Sequence, residues 1–333
     1  MRIFLILSVW ITCCFWSCAT PHRYTIQQPI QQSIDIDAVY FKATPDVEKT
    51  IEYYQGADGR ELAYVQYPGE KRQNLAFVYL HGVESHAGWF NAVAEQLSQR
   101  GYDLYALDRR GSGINRENRS FTSGYVQSYE MLLNDIHSFL DVIQSRYDKI
   151  YLIGLSWGGK LALGYALQYP QNVDGIILIT PGIHAKVDLP VMQKVKVFVA
   201  SVFHPTSLIE IPIEPEMFTR TPAYLEYIEN DPLRLHYATA RFFYESWRLE
   251  NYIESHIGQN HLPVLLFLAG QDRIIDNFRV IDTLRNGKQK MFDIIYYTDQ
   301  THSIQFDATN RLVDALTGWI EHQNEEHEQR SVQ

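Results

Sequence analysis

Two short β-favouring runs open the body of the chain, Thr50 to Gln55 and Glu61 to Tyr67, and the turn residues Gly56, Asp58 and Gly59 split them, so the pattern predicts a hairpin. Continuous apolar runs then alternate with segments of helical period. The order is Leu75 to Leu80, a helix from about Trp89 to Arg100, Leu104 to Leu107, a helix from about Tyr125 to Tyr147, Ile150 to Ile153, a helix from about Gly158 to Tyr169, and Gly175 to Ile179. Strands that are apolar at nearly every position are buried on both faces, which calls for a mostly parallel sheet with helices above and below it. The alternation breaks after Pro181, resumes with Val264 to Ala269 and Phe292 to Tyr297, and closes on an amphipathic helix from about Asp307 to Glu321. The break contains helical segments, Thr221 to Glu229 and Leu235 to Tyr252, but no run that reads as a further core strand. An excursion of about 80 residues inside a domain is expected to be a functional lid.

The chain thus divides into an α/β core at residues 49–181 and 263–324, a helical cap at 182–262 and a polar tail at 325–333. Ahead of the core, residues 19–48 are rich in Gln, Pro and Thr and read as a tether. Residues 1–18 carry Arg2, an apolar run from Ile3 to Trp16 and then Ser17–Cys18, the layout of a secretory signal, and the run is short for a membrane span. A small residue followed by Cys resembles a bacterial lipoprotein cleavage site, although Phe15 and Trp16 depart from its usual residues. The expectation is a lipidated Cys18 that brings the protein into peripheral contact with a membrane of the cell envelope, facing the periplasm or the surface. An uncleaved anchor and an ordinary secretion signal are the alternatives.

All 3 cysteines, Cys13, Cys14 and Cys18, fall in this leader, so the body has no disulfide and no thiolate metal site. The 12 histidines include no HxxxH pair, and no metal or other cofactor is expected. A net charge of −10 with no basic stripe argues against a nucleic-acid partner.

The sharpest chemical signal is Gly154-Leu155-Ser156-Trp157-Gly158, directly after one apolar run and directly before a helical segment. Small residues at Gly154 and Gly158 allow a tight strand-to-helix turn that holds out the Ser156 hydroxyl, and the helix N-terminus favours a developing oxyanion. The arrangement resembles the nucleophile elbow of α/β-hydrolases. That resemblance implies an eight-stranded sheet with the cap inserted after strand 6, an acid and then a histidine at the ends of later strands, and an oxyanion hole built from two backbone N–H groups. Asp272 follows Val264 to Ala269 in a Gly-Gln-Asp turn and is the implied acid. His302, after Phe292 to Tyr297, is the implied base. Asp276 and Asp299 do not sit at the first turn after a strand in the required order, and His184, His204, His236, His256 and His261 belong to the insertion. Trp157 supplies one oxyanion donor and Val83, just beyond His81-Gly82, the other. His81 is read as holding that loop.

Over roughly Ile51 to Ile320 the chain resembles the monoacylglycerol lipase and lysophospholipase branch of this superfamily, a serine aminopeptidase S33-type family. HGVESHAGWF at His81, LDRRGSG at Leu107, GLSWGGKLAL at Gly154, and YIENDPL at Tyr227 followed by TARFFYE at Thr239 carry the likeness. The family usually has His-Ser-Met-Gly at the elbow and Asp-His-Arg-Gly where this chain has Asp108-Arg109-Arg110-Gly111. Ser-Trp at the elbow is also similar to proline iminopeptidases, whose oxyanion loop reads His-Gly-Gly-Pro-Gly and is not matched by His81-Gly82-Val83-Glu84. The resemblance implies a carboxylic ester hydrolase acting on monoacylglycerols, lysophospholipids or similar small lipid esters through an acyl-enzyme on Ser156. A peptidase or amidase of the proline iminopeptidase type, or an acyltransferase, is the alternative. Phe203, Ile209, Phe218, Tyr224, Phe242, Phe243 and Trp247 in the insertion are suited to closing over an acyl chain.

Overall fold

The predicted hairpin forms in the computed structural model. β1 (Thr50–Gln55) and β2 (Glu61–Tyr67) pair antiparallel, with Thr50 opposite Gln66 and Gln55 opposite Glu61. The structure describes residues 39–40, 47–70, 73–116, 123–187, 189–286 and 292–331. The signal-like segment, Cys18 and most of the 19–48 stretch lie outside the described residues.

The next strands are β3 (Leu75–Leu80), β4 (Asp103–Leu107), β5 (Lys149–Leu155) and β6 (Gly175–Ile179), and after the insertion come β9 (Val264–Ala269) and β10 (Phe292–Tyr297). These eight strands make one sheet in the order β1-β2-β4-β3-β5-β6-β9-β10, in which β2 alone runs against the rest. Every residue of β3, β4, β6 and β9 is buried. The strand period of two divides β3 between two cores. Ala76, Val78 and Leu80 join one with Ile136, Leu161 and Leu249, while Leu75, Phe77 and Tyr79 join the other with Val93, Leu97, Leu312 and Leu316.

The helices that supply these faces are α1 (Asn91–Gln99), α2 (Tyr129–Ile143), α3 (Trp157–Gln168), α7 (Asn277–Arg285) and α8 (Thr309–Ser331). α2 starts later than the apolar period alone suggests. Ser128 is its N-cap and accepts the Met131 N–H at 3.2 Å. α8 runs on through the polar tail to Ser331.

The insertion leaves the sheet after β6 and holds α4 (Val191–Phe203), α5 (Pro222–Asn230) and α6 (Ala240–His256), with α6 packed against both α3 and α4. It also contains a two-stranded ribbon outside the main sheet, β7 (Leu208–Glu210) with β8 (Tyr237–Thr239), which the apolar pattern does not reveal. The segment from Leu235 is therefore not one helix, because Thr239 ends β8 and then caps α6 by accepting the Phe242 N–H. Met192, Val195, Phe198 and Phe203 of α4 are exposed, as is Trp247 of α6. Phe203 and Trp247, two of the residues expected to cover an acyl chain, are thus largely open to solvent. Among the described residues no helix is long and apolar enough to cross a membrane.

Candidate active site

Ser156 sits at the junction of β5 and α3 with φ 52° and ψ −123°, a backbone conformation that a residue with a side chain holds only under constraint. The constraint is visible. The Ser156 N–H donates to the Ile179 carbonyl at 2.9 Å, and the Gly159 and Gly182 N–H groups donate to the Ser156 carbonyl at 2.8 and 2.6 Å. A Cβ at Gly154 would lie 2.6 Å from the Gly158 carbonyl oxygen, and one at Gly158 would lie 2.0 Å from that of Leu80. Only glycine permits α3 to press this closely on the ends of β3 and β5.

Asp272 lies just beyond β9 and His302 just beyond β10, so all three side chains gather at the carboxyl edge of the sheet, where open α/β sheets bind their ligands. His302 Nδ1 stands 2.9 Å from Asp272 Oδ2, and the other carboxylate oxygen accepts the Ile274 and Ile275 N–H groups at 2.8 and 3.0 Å. Burial pushes the Asp272 carboxyl up, but the imidazole of His302 and the two backbone donors outweigh it and hold the group below its usual range. An ionised carboxylate can only accept, so His302 carries a proton on Nδ1, and in the neutral imidazole Nε2 is the nitrogen with a lone pair. Nε2 is buried and has no hydrogen-bond partner among the described residues. Thr180, itself at φ 40°, donates through Oγ1 to the His302 carbonyl at 3.0 Å and so links the end of β6 to the histidine loop.

The loop after β3 reaches Ser156. A Cβ on Gly82 would lie 3.4 Å from the Ser156 Cβ. Neither the Val83 nor the Trp157 N–H is engaged by another described residue. His81 Nε2 accepts the Arg109 N–H at 3.1 Å, so its proton is on Nδ1, which donates to the Gly82 carbonyl at 2.8 Å. Burial, and then the charge of Arg109, push the His81 pKa well down and keep the ring neutral.

The cap is bolted to this same loop. Asp231 accepts hydrogen bonds from His86 Nε2 at 3.0 Å and Trp89 Nε1 at 2.6 Å, and Arg234 Nε donates to Glu84 at 2.7 Å. The HGVESHAGWF and YIENDPL stretches therefore meet in space. Phe218 of the cap sets its ring edge-on to His302 at 5.8 Å, and its carbonyl accepts from Thr301 Oγ1 and the Ser303 N–H. The buried Phe242 packs on Trp157 with ring centres 4.8 Å apart. The contacts made by Thr180, Gly182, Asp231 and Arg234 escape sequence reasoning, because each joins residues far apart in the chain.

His184, Glu250 and Glu254 form the one described cluster whose donors lie close enough for a metal ion. Lys160 Nζ already occupies Glu250 at 2.8 Å, and Thr283 binds His184 Nε2 at 2.6 Å. An ammonium so close repels a second cation, and the cluster is read as a network that ties α6 to α3 and α7.

Residues 71–309 match the family model described as serine aminopeptidase, S33. The chain is 23% identical over 276 residues to a monoglyceride lipase of Rattus norvegicus, covering 80% of this chain and 88% of that protein. It is 25% identical over 217 residues to a phospholipase of Bacillus subtilis, covering 63% of this chain and 80% of that one. The solved structure of a soluble variant of monoglyceride lipase from Saccharomyces cerevisiae with a substrate analog superposes with a TM-score of 0.73 at 20% identity, over 84% of this chain and 96% of that chain. That likeness establishes the α/β-hydrolase fold.

Proposed function

The chain belongs to the serine aminopeptidase S33 family of α/β-hydrolases, and from that premise we propose that it hydrolyses carboxylic esters of small lipids, with monoacylglycerols and lysophospholipids as the substrate class. His302 Nε2 takes the Ser156 proton while Asp272 fixes the imidazole, and the alkoxide attacks the ester carbonyl carbon. The oxyanion is held by the Val83 and Trp157 N–H groups. The tetrahedral intermediate collapses and expels the alcohol, which takes the proton from His302. Water, deprotonated by the same imidazole, then releases the acid from Ser156.

One observation carries this reading: a histidine whose Nδ1 is committed to a buried carboxylate, and whose Nε2 has no partner among the described residues, at the same sheet edge as a serine in a strained turn. The ester preference is supported by the relatives named lipase and phospholipase.

The test is hydrolysis of a chain-length series of p-nitrophenyl esters, monoacylglycerols and lysophospholipids beside prolyl amides. Turnover of esters and none of amides is expected, and the reverse preference would move the chain to the peptidase reading. The leader supports placement at a cell envelope through a lipidated Cys18. Incorporation of labelled palmitate that Cys18→Ser abolishes is the expected result, and unlabelled protein would remove the anchor from the account.

A further inference from the structure

The two adjacent arginines after β4 meet opposite fates. Arg110 is paired in the ordinary way, with Asp58 at 2.9 Å and Asp135 at 2.8 Å. Arg109 is buried, and no carboxylate lies within ion-pairing distance of it among the described residues. Its guanidinium instead donates to two backbone carbonyls of the loop after β3, through Nη1 to Gly82 at 2.7 Å and Nη2 to Val83 at 2.6 Å. The group also lies over the rings of Trp157 and Phe242, at 5.1 and 5.3 Å from their centres. One buried cation thus touches both residues assigned to the oxyanion hole.

The Gly82 carbonyl and the Val83 N–H belong to one peptide group. The peptide is trans, so the two point in opposite directions. The carbonyl oxygen is held from one side by two donors, Arg109 Nη1 and His81 Nδ1. That fixes the direction of the Val83 N–H, and Gly82 is the residue that abuts Ser156. Polarising the carbonyl with a charged donor also makes the N–H at the far end of the same amide a stronger donor, since hydrogen bonds in series reinforce one another in a low-dielectric interior.

We propose that Arg109 is a positioning residue for the reaction: its guanidinium aims and polarises the Gly82–Val83 peptide so that the Val83 N–H stabilises the oxyanion formed at Ser156. The inference rests on the serine-hydrolase reading given above. A buried guanidinium satisfied only by neutral groups is costly to keep. Burial lowers its pKa to about 9 while Asp108 pulls it upward, so the charge persists at neutral pH.

The test compares wild type with Arg109→Met and Arg109→Lys, using p-nitrophenyl butyrate as substrate and a trifluoromethyl ketone that adds to the serine as the oxyanion analogue. The expected result for Arg109→Met is kcat lower by about ten-fold, KM within about two-fold, and ketone affinity reduced in parallel with kcat. Arg109→Lys keeps a charged donor and is expected to recover most of that loss; it also serves as the folded comparison should Met not fold. If both variants keep wild-type kcat and ketone affinity, or if kcat falls with the melting temperature while ketone affinity holds, the assignment is overturned. A wild-type protein that neither turns over the ester nor reacts with a fluorophosphonate sinks the hydrolase reading itself, which is a separate failure.

Discussion

Asp231 in the cap takes His86 Nε2 at 3.0 Å, and His86 belongs to the same loop as Val83, the proposed oxyanion donor. Both side chains are fully buried, and the Asp231 carboxyl stays below its usual range because His86, with Trp89 and the Leu233 N–H, outweighs the upward push of burial. The cap is thereby fastened to the loop after β3, so cap position and the proposed oxyanion geometry are linked.

Asp231→Ala would leave His86 and Trp89 without their buried acceptor, at a cost of about 3 kcal/mol or more in stability. Urea denaturation should show a lower midpoint at unchanged slope, together with reduced kcat. Stability within about 0.5 kcal/mol of wild type would show that the fastening is incidental.

Gly182 tests the elbow from outside the motif. Its N–H holds the Ser156 carbonyl, and a Cβ there would lie 3.0 Å from the Trp157 nitrogen. Gly182→Ala is expected to crowd that donor and lower kcat about ten-fold or more while the protein stays folded. Gly158→Ala, with its Cβ 2.0 Å from a carbonyl oxygen, is expected to give little soluble protein. Equal activity of Gly182→Ala and wild type would argue against Trp157 as an oxyanion donor.

Glu84 gives a pH signature. Burial raises its pKa from 4.5 to about 7, although Arg234 pulls it down. Between those values the unfolded chain has released the proton and the folded chain still holds it. This contribution to stability is therefore full below about 4.5 and lost as pH rises to about 7. At about 1.4 kcal/mol per pH unit it amounts to at most about 3.5 kcal/mol. The difference in stability between wild type and Glu84→Gln should drift across that window and level off above it; a difference independent of pH would contradict a raised Glu84 pKa.

Much of this was legible before the coordinates. The runs at Leu75, Ile150 and Val264 are continuously apolar, and the residues that end them, His81, Ser156 and Asp272, follow within a few positions, so local order carries the information. The cap was legible only as a break in the pattern. β8 exists because Tyr237–Thr239 pairs with Leu208–Glu210 about 30 residues away, and nothing within Leu235–Tyr252 signals that. LDRRGSG likewise shows two equivalent arginines, and distant Asp58 and Asp135 decide which one is neutralised.

The account stands most directly on Ser156. Wild type and Ser156→Ala should be treated with a fluorophosphonate, the labelled peptide identified by mass spectrometry, and ester turnover measured on the same samples. One label per chain on Ser156, none on the variant, and a loss of about 10⁴-fold or more in kcat are predicted. Turnover that survives Ser156→Ala, or a label on another residue, would contradict it.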